Sequence, residues 1–367
     1  MRSYSLSCLY VLMALYSSAQ RVDSLQWWQP LRDPAAVIGG RLPAAGGNGH
    51  YGRLPVSANP RVRREVWRLS QNSAGLYLEF RTDATEITVR YTLAGNTRFE
   101  HMPLTGIAGV DLYAQEANGP WRWAKGKYSF ADTVVYRFQQ LAATPQAIYR
   151  LYLPLYNAPQ WLSIGVATTN NFEVLHPAME APVVLYGTSI LQGACASRAG
   201  LAWTNILGRL LDRPLINLGF SGNGRLEPAL LQLMHEVPAA AYVLDCLPNL
   251  YDEQLYPDEE LLRRIDTAVK TLRNSHPQTP IVLVEHAGGS AAFTLDTLQN
   301  RRYQRVNYLL DRAFRSLRKQ GVRHLHLLRA AKIRLDADGT VDGTHPNDRG
   351  MYAYAEAMNQ LLRQAIK

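Results

Sequence analysis

The chain changes its hydrophobic period once. In the first half, apolar and polar positions alternate, or nearly so, in Leu76-Tyr77-Leu78-Glu79-Phe80-Arg81 and again in Glu86-Ile87-Thr88-Val89-Arg90-Tyr91, with Asp83-Ala84-Thr85 between them. A period of two predicts two adjacent strands of a sheet with one solvated face. Val134 to Phe138, Ile148 to Leu155 and Trp161 to Ala167 continue the strand-rich composition, and no long helical period interrupts it. Residues 31–170 are therefore expected to form an all-β, jelly-roll-like sandwich, entered through a Gly-, Pro- and Arg-rich loop over 31–60.

Thr168 to Pro182 is polar, carries two prolines and joins two different styles of sequence. Beyond it, solid apolar runs alternate with helical stretches. The runs are Val183 to Tyr186, Leu215 to Asn217, Ala241 to Leu244, Ile281 to Val284 and His324 to Leu327. Trp203 to Leu211, Leu226 to His235, Glu259 to Arg273, Arg301 to Arg318 and Gly350 to Arg363 carry the helical pattern. Strands apolar on both faces and separated by helices predict a three-layer α/β domain with a parallel sheet over 180–367. Ligands of such a sheet bind outside the carboxyl ends of its strands.

A chain of 367 residues, 47% hydrophobic and 19% charged, is long enough for two such domains, each with its own core. The first twenty residues stand apart. Arg2 precedes the apolar run Leu9 to Leu15, and Ser17-Ser18-Ala19 supplies small residues before the polar break at Arg21. Residues 1–20 are read as a secretory signal, which predicts export to the periplasm or beyond. No apolar run of membrane-spanning length follows, so no integral membrane association is expected. The formal charge of +9 is scattered among acidic residues, which argues for a solvated basic surface over a nucleic-acid site. Cys195 and Cys246 lie in apolar surroundings and are expected to be buried thiols. No cysteine or histidine cluster has metal-site spacing, and no cofactor is expected.

Candidate chemistry sits at strand ends. Ser189 follows the first apolar run of the second half, in Tyr186-Gly187-Thr188-Ser189-Ile190. A serine there can face the cleft, although it is also a common helix cap, and the Gly-x-Ser-x-Gly elbow is absent because Leu191 follows Ile190. Near the other end, Asp342-Gly343-Thr344-His345 precedes the final helix. This spacing lets Asp342 accept from His345 Nδ1 while Nε2 faces outward, as a charge relay requires. Asp342 could instead be a cap, but Asn347 or Asp348 can fill that role.

With those residues in place, the second half resembles the SGNH, or GDSL-like, hydrolases. Gly187-Thr188-Ser189 is similar to the first block of that family, Asn217 to Gly224 to the second, Asp245-Cys246-Leu247-Pro248-Asn249 to the third and Asp342 to Pro346 to the last. Thr188 and Leu250 depart from it, each standing where the family usually has aspartate. The resemblance implies Ser189 as nucleophile with His345 and Asp342. It also implies an oxyanion site made by the backbone NH groups of Ser189 and Gly222 and the Asn249 amide. In the first half, Gly109-Val110-Asp111-Leu112-Tyr113 resembles the signature of an N-terminal β-domain found before bacterial SGNH esterases. Glu285 and His286, after the fourth apolar run, and Tyr113 are candidate substrate contacts, whereas Tyr303 and Tyr308 suit core packing.

The expected function is that of a serine esterase removing short acyl groups, acetyl above all, from carbohydrate through an acyl-enzyme. The alternatives are a lipase or thioesterase acting on longer chains, and a non-catalytic carbohydrate-binding protein. The partner is an acylated small molecule or carbohydrate.

Overall fold

The computed structural model describes residues 24–43, 49–117, 119–142, 144–289 and 294–366. The expected signal segment, 1–20, lies outside the described residues. The first half contributes strands β1 (Leu25–Trp28), β2 (Ile38–Gly39), β3 (Tyr77–Thr82), β4 (Ile87–Leu93), β5 (Asp111–Gln115) and β6 (Arg122–Ala124). It continues with β7 (Gly126–Ser129), β8 (Val134–Phe138), β9 (Ile148–Tyr152), β10 (Pro159–Ala167) and β11 (Phe172–Leu175), and holds short helices α1 (Arg64–Ser70) and α2 (Leu104–Ile107). The strands form two antiparallel sheets, ordered β1-β10-β4-β8-β7 and β11-β3-β9-β5-β6, with β2 added to β3.

The alternation in the sequence has a simple outcome. Ile87, Val89 and Tyr91 of β4 face Leu78 and Phe80 of β3 across a dry core, all of them wholly buried. These consecutive strands were expected as neighbours in one sheet, yet they lie in opposite sheets. Asp83 marks the corner where the chain crosses: its carboxylate takes the Asn171 backbone N–H at 2.9 Å, tying the corner to the start of β11. The segment read as a linker thus supplies an edge strand.

The second half holds the parallel strands β12 (Val183–Gly187), β13 (Leu215–Gly219), β14 (Ala241–Asp245), β15 (Ile281–Val284) and β16 (Leu325–Leu328), ordered β13-β12-β14-β15-β16. Its helices are α3 (Ser189–Gln192), α4 (Trp203–Leu211), α5 (Pro228–His235), α6 (Asp258–Ser275), α7 (Thr297–Lys319), α8 (Ala330–Ile333) and α9 (Asp348–Ala365). Val183, Leu185 and Val243 pack against α4 and α9, while Val184, Tyr186 and Leu244 pack against α5, α6 and α7. This is the predicted three-layer arrangement, and each fully buried large apolar side chain adds roughly 1.5–3 kcal/mol. The chain order reverses at β12, between β13 and β14, and a crevice opens where the connections diverge.

The two halves share their cores. Leu42, Leu54, Val62, Val66 and Leu69 of the first half are buried with the α5, α6 and α7 layer of the second. The stretch read as loop over 31–60 therefore divides its buried side chains, with Leu42, Leu54 and Ala58 covering one face of the parallel sheet and Val37, Ile38 and Tyr51 in the core of the β-half. On the other side Tyr77, Tyr113, Tyr152 and Tyr156 pack with Ala196, Ala199 and Trp203. Polar ties reinforce the seam, because Asp111 accepts from the Trp123 indole at 2.7 Å, from Arg198 at 2.7 Å and from the Gly200 N–H at 2.9 Å.

Candidate active site

Three strand ends and one loop converge on the crevice. Ser189 opens α3 directly after β12, with its side chain almost buried. Thr188 caps this helix, its hydroxyl accepting from the Ile190 N–H at 3.3 Å. The residue that departs from the family pattern thus has a local role. Leu250, the other departure, is wholly buried and packs under α6 and α7.

Ser189 Oγ lies 2.8 Å from His345 Nε2. On the far side of the ring, His345 Nδ1 is 2.7 Å from Asp342 Oδ2. Asp342 Oδ1 accepts the backbone N–H groups of Thr344 at 3.0 Å and His345 at 2.8 Å, a turn that the left-handed Gly343 (φ +79°) completes. Partial burial pushes the Asp342 carboxyl up, but the His345 backbone and ring and the Thr344 N–H more than offset this and hold it below the ordinary range. An ionised Asp342 keeps the ring proton on Nδ1 and leaves Nε2 to accept from Ser189. Asn347 caps α9 by accepting from the Gly350 N–H at 3.2 Å, so Asp342 is free of that duty.

Gly222 stands at φ +70° in the loop after β13, a conformation that disfavours side chains. That loop presses on the nucleophile turn: a Cβ at Gly224 would lie 2.3 Å from the Gly187 carbonyl oxygen. The Gly224 N–H donates to Asn249 Oδ1 at 3.0 Å, which orients this amide and turns its NH2 group away. Ser189, Gly222, Asn249 and His345 all line one cavity of about 380 Å³.

The first half supports this loop from below. Arg53 is fully buried and donates to the carbonyls of Leu69 (2.7 Å), Asn72 (2.9 Å), Asn217 (3.1 Å) and Gly219 (2.6 Å). Its guanidinium also lies 4.8 Å from the Phe220 ring centroid. Burial pulls its pKa down to about 9. Gln192 of α3 makes a second brace, donating to the Leu155 carbonyl at 3.1 Å and accepting from the Ser221 N–H at 3.0 Å.

Tyr113, Glu285 and His286 do not line the cavity. Tyr113 is buried at the seam, where its hydroxyl accepts from Arg198 at 2.8 Å. Glu285 holds Arg329 and the Ala330 N–H, both at 2.8 Å. His286 is buried against the Tyr303 ring, 3.6 Å between centroids, and burial pushes its pKa down to about 3. Tyr251, Asp296, Gln299, Arg302, Tyr303 and Thr344 also line the cavity. Three of the six come from the first two turns of α7 and Asp296 is its N-cap, where a polar face on an amphipathic helix gave no reason to single them out. Tyr303 is buried as expected, but its hydroxyl sits 2.8 Å from Thr344 Oγ1 at the cavity edge, and Tyr308 is exposed. From the first half, the exposed His101 ring approaches His345, with centroids 5.9 Å apart.

Comparison with known proteins agrees with this architecture. A model of the GDSL-like lipase/acylhydrolase family matches residues 180–363. A second model, for the N-terminal region of SGNH-hydrolase-type esterases and named for its Gly-x-Asp-Leu-Tyr motif, matches residues 25–172. A crystal structure described as a GDSL-like lipase from Bacteroides ovatus is 28% identical, with a TM-score of 0.81 over 93% of this chain and 98% of that one. A salicylyl-acyltransferase from a tetracycline biosynthetic pathway is 20% identical, with a TM-score of 0.72 over 94% of this chain and 99% of that one. A family two carbohydrate esterase from Cellvibrio japonicus shares the fold at 12% identity, with a TM-score of 0.54 over 94% of this chain and 98% of that one. None of the curated proteins matches the chain.

Proposed function

Because the chain belongs to the GDSL-like lipase/acylhydrolase family, whose members are serine esterases, we propose that it removes short acyl groups, acetyl above all, from carbohydrate, with Ser189 as nucleophile. The observation that carries the site assignment is the unbroken relay from Ser189 Oγ through His345 to Asp342, at 2.8 and 2.7 Å. In this reading His345 Nε2 takes the Ser189 proton as Oγ attacks the ester carbonyl, and Asp342 stabilises the resulting imidazolium. The oxyanion is held by the NH groups of Ser189 and Gly222 and by the Asn249 amide. Collapse expels the sugar alcohol, which takes its proton from His345. Water activated by the same ring then releases the acid and restores Ser189.

The character of the cavity supports a hydroxyl-rich alcohol. Asp296, Gln299, Arg302 and Tyr251 offer hydrogen bonds and a ring face, while Pro248 and Leu298 are its main apolar residues. A long acyl chain would need more apolar wall. We place the protein outside the cytoplasm, on the signal pattern of residues 1–20. Among the described residues no helix is long and apolar enough to cross a membrane.

The test is hydrolysis of p-nitrophenyl acetate and decanoate together with acetate release from acetylated glycans. The expected result is acetate ester cleaved well, decanoate poorly, acetate freed from at least one glycan, and a loss in Ser189→Ala of at least about 10⁴-fold in kcat. Equal rates in wild type and Ser189→Ala would overturn the site. Preference for decanoate, with no glycan deacetylated, would transfer the function to lipids.

A further inference from the structure

We propose that His101, Cys195 and His345 form a zinc-binding site, and that zinc held there switches the esterase off by removing His345 from the relay. The sequence gives no hint of it, because the three residues are far apart along the chain. The fold assembles them. One ring nitrogen of His101, the Cys195 Sγ and one ring nitrogen of His345 all lie within 4.8 Å of one another. Each arrives on a different support: His101 from the first half just ahead of α2, Cys195 from the turn that ends the nucleophile helix, and His345 from the loop before α9.

The donor set selects the metal. Two imidazole nitrogens and a thiolate suit a borderline-soft ion, and zinc accepts such three-ligand sites with water in the fourth tetrahedral position. Tetrahedral Zn–N and Zn–S bonds put their donors about 3.5 Å apart, so no pair of the trio has to close by more than roughly 1.3 Å. His101 can supply most of this movement because its ring is exposed and turns about two side-chain bonds. Cys195 is the fixed point. Its backbone is left-handed, at φ +69°, in a buried turn whose neighbours Gly193 and Ala194 both donate to the Ser189 carbonyl, at 3.0 and 2.9 Å. The Asp342 carboxylate bonds to His345 Nδ1 and adds negative charge beside the incoming cation.

Coordination forms a Zn–S bond and two Zn–N bonds in place of water ligands that the hydrated ion releases, and the S–H bond breaks with its proton leaving to solvent. Both nitrogens of His345 are already engaged, Nε2 by Ser189 and Nδ1 by Asp342. Whichever one binds zinc, a link of the relay is lost. Metal affinity rests on the geometry of the three donors, whereas inhibition rests also on the proposed role of His345 as general base.

The experiment therefore reads the two separately on the full chain. Zinc chloride is titrated into wild type, His101→Ala and Cys195→Ser, following p-nitrophenyl acetate hydrolysis and, independently, Tm. Cobalt(II) is then added as a spectroscopic probe. The expected result is inhibition of wild type reversed by EDTA, a Tm that rises with zinc, and a thiolate-to-cobalt charge-transfer band. Magnesium and calcium, which prefer oxygen ligands, leave rate and Tm unchanged. Each variant keeps its activity without metal but needs at least about tenfold more zinc for half-inhibition, since loss of a ligand costs no less than loss of a supporting contact. Cys195→Ser also loses the charge-transfer band. His101 is exposed, so His101→Ala keeps a folded test available even if Cys195→Ser is unstable. Unchanged zinc sensitivity in His101→Ala, or equal inhibition by magnesium, would overturn the proposal. Zinc binding that shows in Tm and in the cobalt band, but leaves the rate untouched, would uphold the site and overturn His345 as the base.

Discussion

Asn249 is the residue whose contribution to the proposed catalysis can be isolated most cleanly. Its Oδ1 is held by the Gly224 N–H, so truncation to alanine removes one cavity-facing donor and leaves Ser189, His345 and Asp342 in place. Asn249→Ala should lower kcat by about 10²–10³, near 3 kcal/mol, with little change in KM. A KM effect alone would reassign Asn249 to substrate binding. Asp245, at the end of β14, poses a different question. Neither of its carboxylate oxygens meets a hydrogen-bond partner among the described residues, and burial pushes the group up to about 7. Below about pH 4 the folded and unfolded chains both carry this proton. As pH rises from there towards 7 the unfolded chain releases it first, so stability falls, by at most about 1.4 kcal/mol per pH unit. Asp245→Asn should therefore raise Tm at pH 8, with the advantage fading towards pH 4. Calorimetric curves that stay parallel across this range would exclude the effect. At this scale the sequence singled out Ser189, Asp342 and His345 as candidates, because four separated blocks point to one chemistry, and the fold brings the three within hydrogen-bond reach of one another. It did not reveal His101, Tyr251 or Arg302, since approach across a fold leaves no mark in local pattern.

At the level of elements, burial on both faces made the parallel strands legible as solid apolar runs, and predicted and observed strands differ by two residues or fewer at each end. The β-half was harder to read. β1, β6, β7 and β11 are short edge or near-edge strands with polar or exposed positions, and such segments carry little periodicity. The Gly-x-Asp-Leu-Tyr motif acquires a physical meaning here. Asp111 and Tyr113 hold the segment 198–200 of the catalytic half through Arg198 and the Gly200 N–H. Asp111 is buried, and losing it would strand the Arg198 charge and the Trp123 and Gly200 donors. Asp111→Ala should cost about 3 kcal/mol, measured as the urea midpoint with an unchanged slope. A loss below about 0.5 kcal/mol would mean that the seam is held by its apolar contacts alone.

For the molecule as a whole, the shared cores set the expectation. Leu42, Leu54, Val62, Val66 and Leu69 are buried beneath the parallel sheet, and Tyr152 and Tyr156 are packed against the α4 side. Neither half can leave without exposing the other's interior. Calorimetry of the intact chain should then give one cooperative transition, with calorimetric and van't Hoff enthalpies in agreement. Two resolved transitions would show that the halves unfold separately. The buried Arg53 carries this coupling into time. A ribosome delivers the N-terminal half first, and early domains tend to fold as they emerge. Two of the four carbonyls that Arg53 needs belong to Asn217 and Gly219, more than 160 residues downstream. Until those residues exist, burying the guanidinium leaves donors unmet, so the segment around Arg53 stays open during synthesis and closes only when the strand beneath the oxyanion loop arrives.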